Sequence, residues 1–145
     1  MFQLPKTARD LIQSGAIAHL VTLNADGTPQ VSAVWTGFDG DEIVIGSIGP
    51  RQKLDNVARD PRVALSWQRE EKNPMGLQHY LVVNGTARIQ EGGAPALLQR
   101  LADVYLGAGI KFPPMDNPPP GFVMRITAER IYGTGPWMEE AVESA

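Results

Sequence analysis

The chain has 145 residues, of which 13 are Lys or Arg and 16 are Asp or Glu. This length suits one domain with a sizeable core, and the slight acidic excess argues against a nucleic-acid-binding or anionic-membrane surface. The sequence contains no cysteine, which excludes disulfides, thiolate metal sites and a cysteine nucleophile.

The first half of the chain predicts a helix followed by three strands. The 15 Gly and 12 Pro divide the sequence into short segments, which is typical of β-rich proteins. Residues 5–14 have helical spacing, and the strands predicted next are residues 16–23, 29–38 and 42–48. Asp-Gly pairs join these strands, and consecutive strands with tight turns form a β-meander.

The second half adds three more predicted strands and two helices. In order they are a short helix ending at Pro61, a strand at 63–68, a loop at 69–78, a strand at 79–90, a helix at 94–106, an irregular segment at 107–121 and a strand at 122–131. The connections between strands are too short for the crossover helices of a parallel sheet. We therefore expect a mainly β, six-stranded antiparallel barrel, closed or partly closed. Its own side chains would fill it, so a sizeable ligand would lie outside, with a second subunit as cover.

The start of the short helix after residues 42–48 is rich in positive charge. We expect Gly49 at its N-cap and Pro50 at its first position, and glycine has no side-chain oxygen to accept the free N–H groups there. Arg51 and Lys53 add charge where the helix dipole is already positive. An anion such as phosphate would be stabilised at this point. The alternative is that both side chains extend into water.

Several common catalytic motifs are absent from the sequence. There is no Gly-rich dinucleotide motif, no P-loop, no H-E-x-x-H and no G-x-S-x-G. His19 and His79 each lie in a predicted strand, where packing is commoner than catalysis or metal binding. Redox chemistry would therefore depend on a bound cofactor. The first residues lack the apolar core of a signal peptide and no run approaches a membrane span, so we expect a cytoplasmic protein.

Five short segments occur in the order typical of the pyridoxamine 5′-phosphate oxidase-like superfamily. They are residues 28–35, 39–41, 53 with 56–57, 60–65 and 83–87. The chain resembles this superfamily, most closely its flavin- and deazaflavin-dependent oxidoreductase branch. The resemblance implies a split β-barrel homodimer of the FMN-binding type. Residues 1–145 would be a single domain, with an N-terminal helix in residues 1–15 and a tail in residues 132–145.

The resemblance also implies a cofactor, FMN or the deazaflavin F420, in a groove at the dimer interface. The second strand would line its ring and ribityl chain, the helix start would hold its phosphate, and two aromatic side chains would form walls from the partner subunit. The implied residues are Gln30, Ser32 and Trp35 on the second strand, Ser47, Arg51, Gln52 and Lys53 at the helix start, and Tyr80 and Trp137 as the walls. No metal and no catalytic acid or base is implied. For Trp67 we expect an ordinary core position.

The predicted function is that of an oxidoreductase that transfers a hydride between bound F420 and a small organic substrate. Residues 31–35, followed by 39–41, resemble the deazaflavin users more than the FMN oxidases. The alternatives are an FMN-dependent oxidoreductase and a non-enzymatic carrier of a flavin, haem or a pigment. Residues 107–121 would be a lid or a permanent cover, and would shape the substrate side together with Trp137. The substrate-binding C-terminal segment of the vitamin B6 enzymes has no match in residues 131–145, so we do not predict their activity.

Overall fold

The computed structural model describes residues 2–49 and 51–139. Within that part of the chain, seven strands form one antiparallel sheet in the order β2-β1-β5-β6-β7-β4-β3. The strands are β1 (Ala18–Leu23), β2 (Pro29–Val34), β3 (Gly37–Asp39), β4 (Glu42–Ser47), β5 (Arg62–Lys72), β6 (Gln78–Glu91) and β7 (Phe122–Thr134). The helices are α1 (Lys6–Ile12), α2 (Gln52–Arg59) and α3 (Ala94–Tyr105). The predicted mainly β architecture with short helices is confirmed.

The predicted meander is wrong, because residues 29–38 form two strands at opposite edges of the sheet. β2 pairs with β1, whereas β3 pairs with β4 at the far edge. Between them, the buried hydroxyl of Thr36 donates to the carbonyl oxygen of Ile12 at 2.7 Å and accepts from Trp67 Nε1 at 3.1 Å. These partners are distant in sequence, and they fix the point at which the chain leaves β2 and crosses to the other edge.

The sheet is not closed into a barrel, and it has seven strands where six were predicted. β2 and β3 are its two edges within the described residues. β5 and β6 also extend through most of the predicted loop at 69–78, so that Lys72 pairs with Gln78 and only residues 73–77 connect them. The side chains at this end are mostly exposed. The two strands there form a solvated β-hairpin, which shows no alternation of apolar residues in the sequence. β7 likewise continues to Thr134, into the predicted tail, and residues 140–145 of that tail lie outside the described part.

The core lies on one face of the sheet and receives side chains at alternate positions. Val63, Leu65 and Trp67 of β5 are buried there, which confirms the core position of Trp67. α1 adds its apolar face, formed by Ala8, Leu11 and Ile12. A second cluster forms where α3 packs against β4 and β7, and consists of Val44, Leu97, Leu101 and Val123. No helix of the described residues is long and apolar enough to cross a membrane.

α2 begins later than the sequence suggested. Its first residue is Gln52, and its N-cap is Arg51, whose φ of −136° and ψ of 151° are extended. The predicted N-cap, Gly49, is therefore wrong by two residues, and Pro50 lies outside the described residues. The helix buries Leu54 and Val57 and ends at Arg59, before Pro61 as expected.

Candidate functional site

A groove of about 700 Å³ lies between β2, the end of β4 and the start of α2. Six of the residues predicted to bind a cofactor line it, namely Gln30, Ser32, Ser47, Arg51, Gln52 and Lys53. Ala33, Gly46, Ile48, Leu98 and Phe112 complete the lining. Because ligand pockets commonly measure roughly 300–1,000 Å³, the groove has room for a ligand of cofactor size. The predicted residues from β2 and from α2 thus come together in one place.

The start of α2 gives one end of this groove a positive potential. The first N–H groups of a helix lack intrahelical acceptors, and no side chain among the described residues caps those of α2. Arg51 and Lys53 stand at the same end, while no carboxylate appears among the described lining residues. Burial, and then the nearby Arg51 guanidinium, lower the pKa of the Lys53 ammonium below its ordinary value of 10.5. An anion bound here would offset both of these unfavourable effects.

Two serines of the groove differ in what their hydroxyls can do. Ser47 is buried, and its Oγ donates to the carbonyl oxygen of Gly49 at 2.9 Å, so its proton already holds the turn before α2. The Ser32 Oγ is buried without a hydrogen-bond partner among the described residues. A buried hydroxyl without a partner costs free energy unless a ligand group or water satisfies it. The Ser32 hydroxyl is therefore the polar group of the groove that would gain most from a hydrogen bond to a ligand.

The buried side chain of Asn56 forms hydrogen bonds with two of the polar groove residues, Gln30 and Gln52. It is fully buried, and its Nδ2 donates to Thr22 Oγ1 at 3.0 Å and to Asn24 Oδ1 at 2.9 Å, with Gln30 Oε1 further away at 3.4 Å. Its Oδ1 accepts from Gln52 Nε2 at 3.0 Å. In this arrangement the Gln30 amide keeps its N–H donors, and the Gln52 amide its carbonyl oxygen, for a ligand.

Aromatic side chains cluster beside the groove, and Phe112 among them also lines it. The Trp35 ring is stacked on Tyr105, with ring centroids 5.2 Å apart and an interplanar angle of 13°. Phe112, from the irregular segment at 107–121, packs against Trp35 at 5.0 Å. Both border an adjoining pocket of about 200 Å³, which shares Ala33, Gly46, Lys53, Leu98 and Phe112 with the main groove. Trp35 therefore lies next to the groove rather than along its polar part.

Tyr80 and Trp137, predicted as walls, do not line the groove of their own chain. Trp137 is fully buried in the core, where its Nε1 donates to the carbonyl oxygen of Tyr80 at 3.0 Å. Its ring packs beside His79 and so tightly on Gly135 that a Cβ there would lie 2.4 Å from it. A ring buried in this way offers no surface to a ligand, which corrects the role expected for Trp137. Tyr80 is 41% exposed, and its role in a partner's groove stays a prediction.

Sequence reasoning missed three residues that shape the site. Phe112 is the one aromatic residue of the segment at 107–121, so the suggestion that this segment covers the groove could have named it. Asn56 was noted only as part of a family pattern. A buried polar residue on the face of α2 that also carries Leu54 and Val57 would have been the available signal. Leu98 had no signal beyond the apolar spacing of α3.

The arrangement suits an elongated ligand with an anionic group at one end. The start of α2 would hold the anion, the amides and Ser32 would meet polar edges, and the aromatic end would exclude water. No cluster of His, Asp and Glu that could hold a metal ion is found in the described part of the chain. Neither histidine borders the groove among the described lining residues. These residues fit a phosphate-bearing, ring-containing cofactor.

Comparison with known proteins places this groove in a family context. The family model for pyridoxamine 5′-phosphate oxidase matches residues 4–135. An F420 reductase of known structure is 27% identical, with 89% of this chain and 98% of that chain covered and a TM-score of 0.71. No curated protein matches the chain.

Two more distant structures show likeness of fold alone. A conserved hypothetical protein from Mycobacterium tuberculosis is 22% identical, with 99% of this chain and 89% of that chain covered and a TM-score of 0.68. A heme binding protein from Mycobacterium smegmatis is 23% identical, with 88% of this chain and 52% of that chain covered and a TM-score of 0.63. The seven-stranded sheet is thus an architecture that proteins with different ligands share.

Proposed function

This chain belongs to the pyridoxamine 5′-phosphate oxidase family, and from that premise we propose that it is an oxidoreductase that uses the deazaflavin F420. It would transfer a hydride between this cofactor and a small organic substrate. The observation that carries the proposal is the groove itself, which is lined by the uncapped start of α2, the half-buried Lys53 and Ser32, whose hydroxyl has no partner among the described residues. The similarity to an F420 reductase supports F420 over other ligands.

Each part of the groove has a separate task in this proposal. The cofactor would itself carry the hydride, and the chain would position the cofactor and supply the electrostatic environment. Lys53, Arg51 and the first N–H groups of α2 bind the anionic group. Gln30 and Ser32 offer donors to polar edges of the ring system. Trp35 and Phe112 close the apolar end, so that water is kept from the site of transfer.

FMN is the alternative cofactor, because it shares the phosphate and the tricyclic ring and the family takes its name from an oxidase. A haem or pigment carrier is a further alternative, since a heme binding protein has the same fold. A haem iron usually takes a histidine ligand. His19 lies on β1 and His79 packs beside Trp137, and neither is a lining residue. This placement favours a flavin or deazaflavin.

We also propose that the protein is an isologous homodimer with the cofactor at the interface. Large apolar side chains are exposed on the single chain, including Val31 at 59%, Ile17 at 45% and Tyr80 at 41%. The groove is open on one side, and a second copy would cover it. Interfaces of stable dimers bury about 1,600 Å² or more in total. Sedimentation at micromolar concentration tests this, and a monomer with cofactor still bound would contradict it.

An equilibrium titration with F420, FMN and haem tests the cofactor proposal. The protein should bind F420, and Lys53→Ala should weaken binding by about 1.5–3 kcal/mol, the range for a hydrogen bond to a charged group. Lys72→Ala is the matched control, because Lys72 is an exposed cation at the far end of β5 and should leave affinity unchanged. FMN bound at nanomolar affinity with F420 ignored would replace the cofactor. Equal affinity of the parent and Lys53→Ala would place the anion site elsewhere.

A further inference from the structure

Residues 108–119, which we call the cover, lie between α3 and β7 and are in little contact with the rest of the protein. Pro113 is the one buried residue of the cover, and only Phe112 and Pro118 are partly buried. The ion pair between Lys111 and Asp116, with an N–O distance of 2.8 Å, joins the cover to itself and not to the sheet. A segment that buries so little surface has a low local stability, so it can open while the sheet stays folded.

One side chain of α3, that of Gln99, fastens the cover to the rest of the protein. Its Oε1 accepts from the backbone N–H of Phe112 at 2.9 Å, and its Nε2 donates to the carbonyl oxygen of Ile110 at 2.7 Å. Among the described residues, these are the two hydrogen bonds that join the cover to the rest of the chain. Nε2 also donates to Asp103 Oδ1 at 3.3 Å, and this bond orients the amide. The closed position of the cover therefore depends on Gln99.

The closed cover places the Phe112 ring against Trp35, with ring centroids 5.0 Å apart. Trp35 itself is fixed from the other side, because its ring stacks on Tyr105. The Tyr105 hydroxyl donates to the carbonyl oxygen of Ala16 at 2.8 Å and accepts from the backbone N–H of Thr36 at 3.0 Å. When the cover opens, Phe112 consequently moves away from a stationary Trp35, and the groove opens at its apolar end.

We propose that the cover is a gate and not a permanent wall, and that Gln99 is the positioning residue that keeps it closed. Two hydrogen bonds from one side chain favour the closed form but leave the open form accessible. In the closed form Phe112 keeps water from the apolar end of the groove, and in the open form a small organic substrate can enter there. The inference rests on the proposed function only for the identity of the molecule that passes the gate.

Tryptophan fluorescence of the purified full-length protein, before any cofactor is added, tests the role of Gln99. Trp67 and Trp137 are 1% and 0% exposed, whereas Trp35 is half-buried, so the neutral quencher acrylamide reports mainly on Trp35. Gln99→Ala should raise the open fraction of the cover by about tenfold, the factor that one net hydrogen bond contributes to an equilibrium. Its quenching constant should therefore rise toward that of Phe112→Ala. Gln99→Glu keeps an acceptor for the Phe112 N–H and should give an intermediate constant.

A crosslink distinguishes a gate from a permanent wall. The chain has no cysteine, so a short bismaleimide can specifically link Asp103→Cys to Ile110→Cys in a double variant. These two positions lie on either side of the Gln99 amide, which donates to both residues. The linked protein should be quenched less than the same variant without the linker, because its cover no longer opens. Equal quenching with and without the linker would show that the cover does not open, and would overturn the inference.

Trp35→Phe separates movement of the cover from a general loss of structure. In a protein with this change, Gln99→Ala should leave the quenching as it was, since the remaining tryptophans lie in the core. A rise there, or an unchanged constant when Trp35 is present, would refute the role of Gln99. Met115→Ala, an exposed position of the cover, should behave as the parent does. If F420, FMN and haem all fail to bind while the quenching responds as expected, only the proposed function fails. If a cofactor binds and the quenching does not respond, only the gate fails.

Discussion

Gln52 donates a 3.0 Å hydrogen bond to Asn56, one turn further along α2, and thereby links the surface of the groove to a fully buried amide. The other side of that amide donates to Thr22 and Asn24 in and after β1. The position of Gln52 in the groove is therefore set from inside the protein. Such a buried network is costly to break, because each lost partner leaves a polar group without compensation.

Asn56→Ala should lower the free energy of unfolding by about 1–3 kcal/mol, because Thr22 and Asn24 lose their common donor. It should also weaken cofactor binding, since Gln30 and Gln52 lose the group that orients them. Urea denaturation and a cofactor titration measure the two effects. Ala58→Ser, on the exposed face of the same helix, should change stability by no more than about 0.5 kcal/mol. Unchanged stability in Asn56→Ala would contradict this account of the network.

The lowered pKa of Lys53 predicts a pH dependence of anion binding. Because the ammonium loses its proton at a lower pH than a free lysine, the attraction for an anion should fade as the pH rises through that lowered value, before 10.5 is reached. Inorganic sulfate is the probe, since its charge is constant over this range. Lys53→Arg is the matched control, because a guanidinium stays charged and its profile should be flat. Identical profiles would show that Lys53 does not titrate at the site.

Truncation of Trp137 should mainly lower stability, whereas truncation of Trp35 should mainly weaken ligand binding. Trp137→Ala removes a fully buried ring and should cost about 3–5 kcal/mol of stability, as large-to-small core changes do. Trp35→Ala removes a half-buried ring at the edge of the groove and should affect ligand affinity more than stability. Denaturation curves and cofactor titrations of both variants test the contrast. A Trp137→Ala variant of normal stability would mean that the ring is not packed as the fold requires.

Gly85 is expected to be a sensitive glycine within the sheet. The β6–β7 register shifts after Asn84, and a Cβ at Gly85 would lie 2.2 Å from the carbonyl oxygen of Thr127. Gly85→Ala should therefore destabilise the protein by roughly 1–3 kcal/mol, the usual cost of overpacking. Gly49→Ala is the control, since a Cβ there meets nothing within 4 Å among the described residues. Thermal denaturation compares the two.

The elements that the sequence predicted correctly are those whose signal is local. The apolar spacing of α3 and the alternation of Val63, Leu65 and Trp67 are such signals. The helical spacing of α2 is another, although its N-cap was placed two residues too early. The break between β2 and β3 was missed because the alternation of Val31, Ala33 and Trp35 runs up to it, and Gly37 just after it was not taken as a break. It is imposed by Thr36 contacts to α1 and β5, which no local pattern reveals.

The same distinction holds within the candidate site. The residues next to α2 could be named from helix chemistry and family resemblance, and they do share one groove. Trp137 was misplaced because its burial depends on Gly135 and on a carbonyl of β6. Phe112 was not named because its backbone N–H donates to Gln99 Oε1 of α3, and these two residues become neighbours only after folding.

The place of β7 between β4 and β6 has a consequence for how the chain folds during synthesis. Ile43 of β4 pairs with Ile126 of β7. β4 is synthesised early, and it therefore has no partner on this edge until β7, the last strand, has been made. Until β7 emerges, both β4 and β6 present unpaired edges, and such edges template aggregation. We therefore expect a nascent or prematurely terminated chain that ends before residue 122 to be a substrate for chaperones and proteases, whatever the stability of the finished protein.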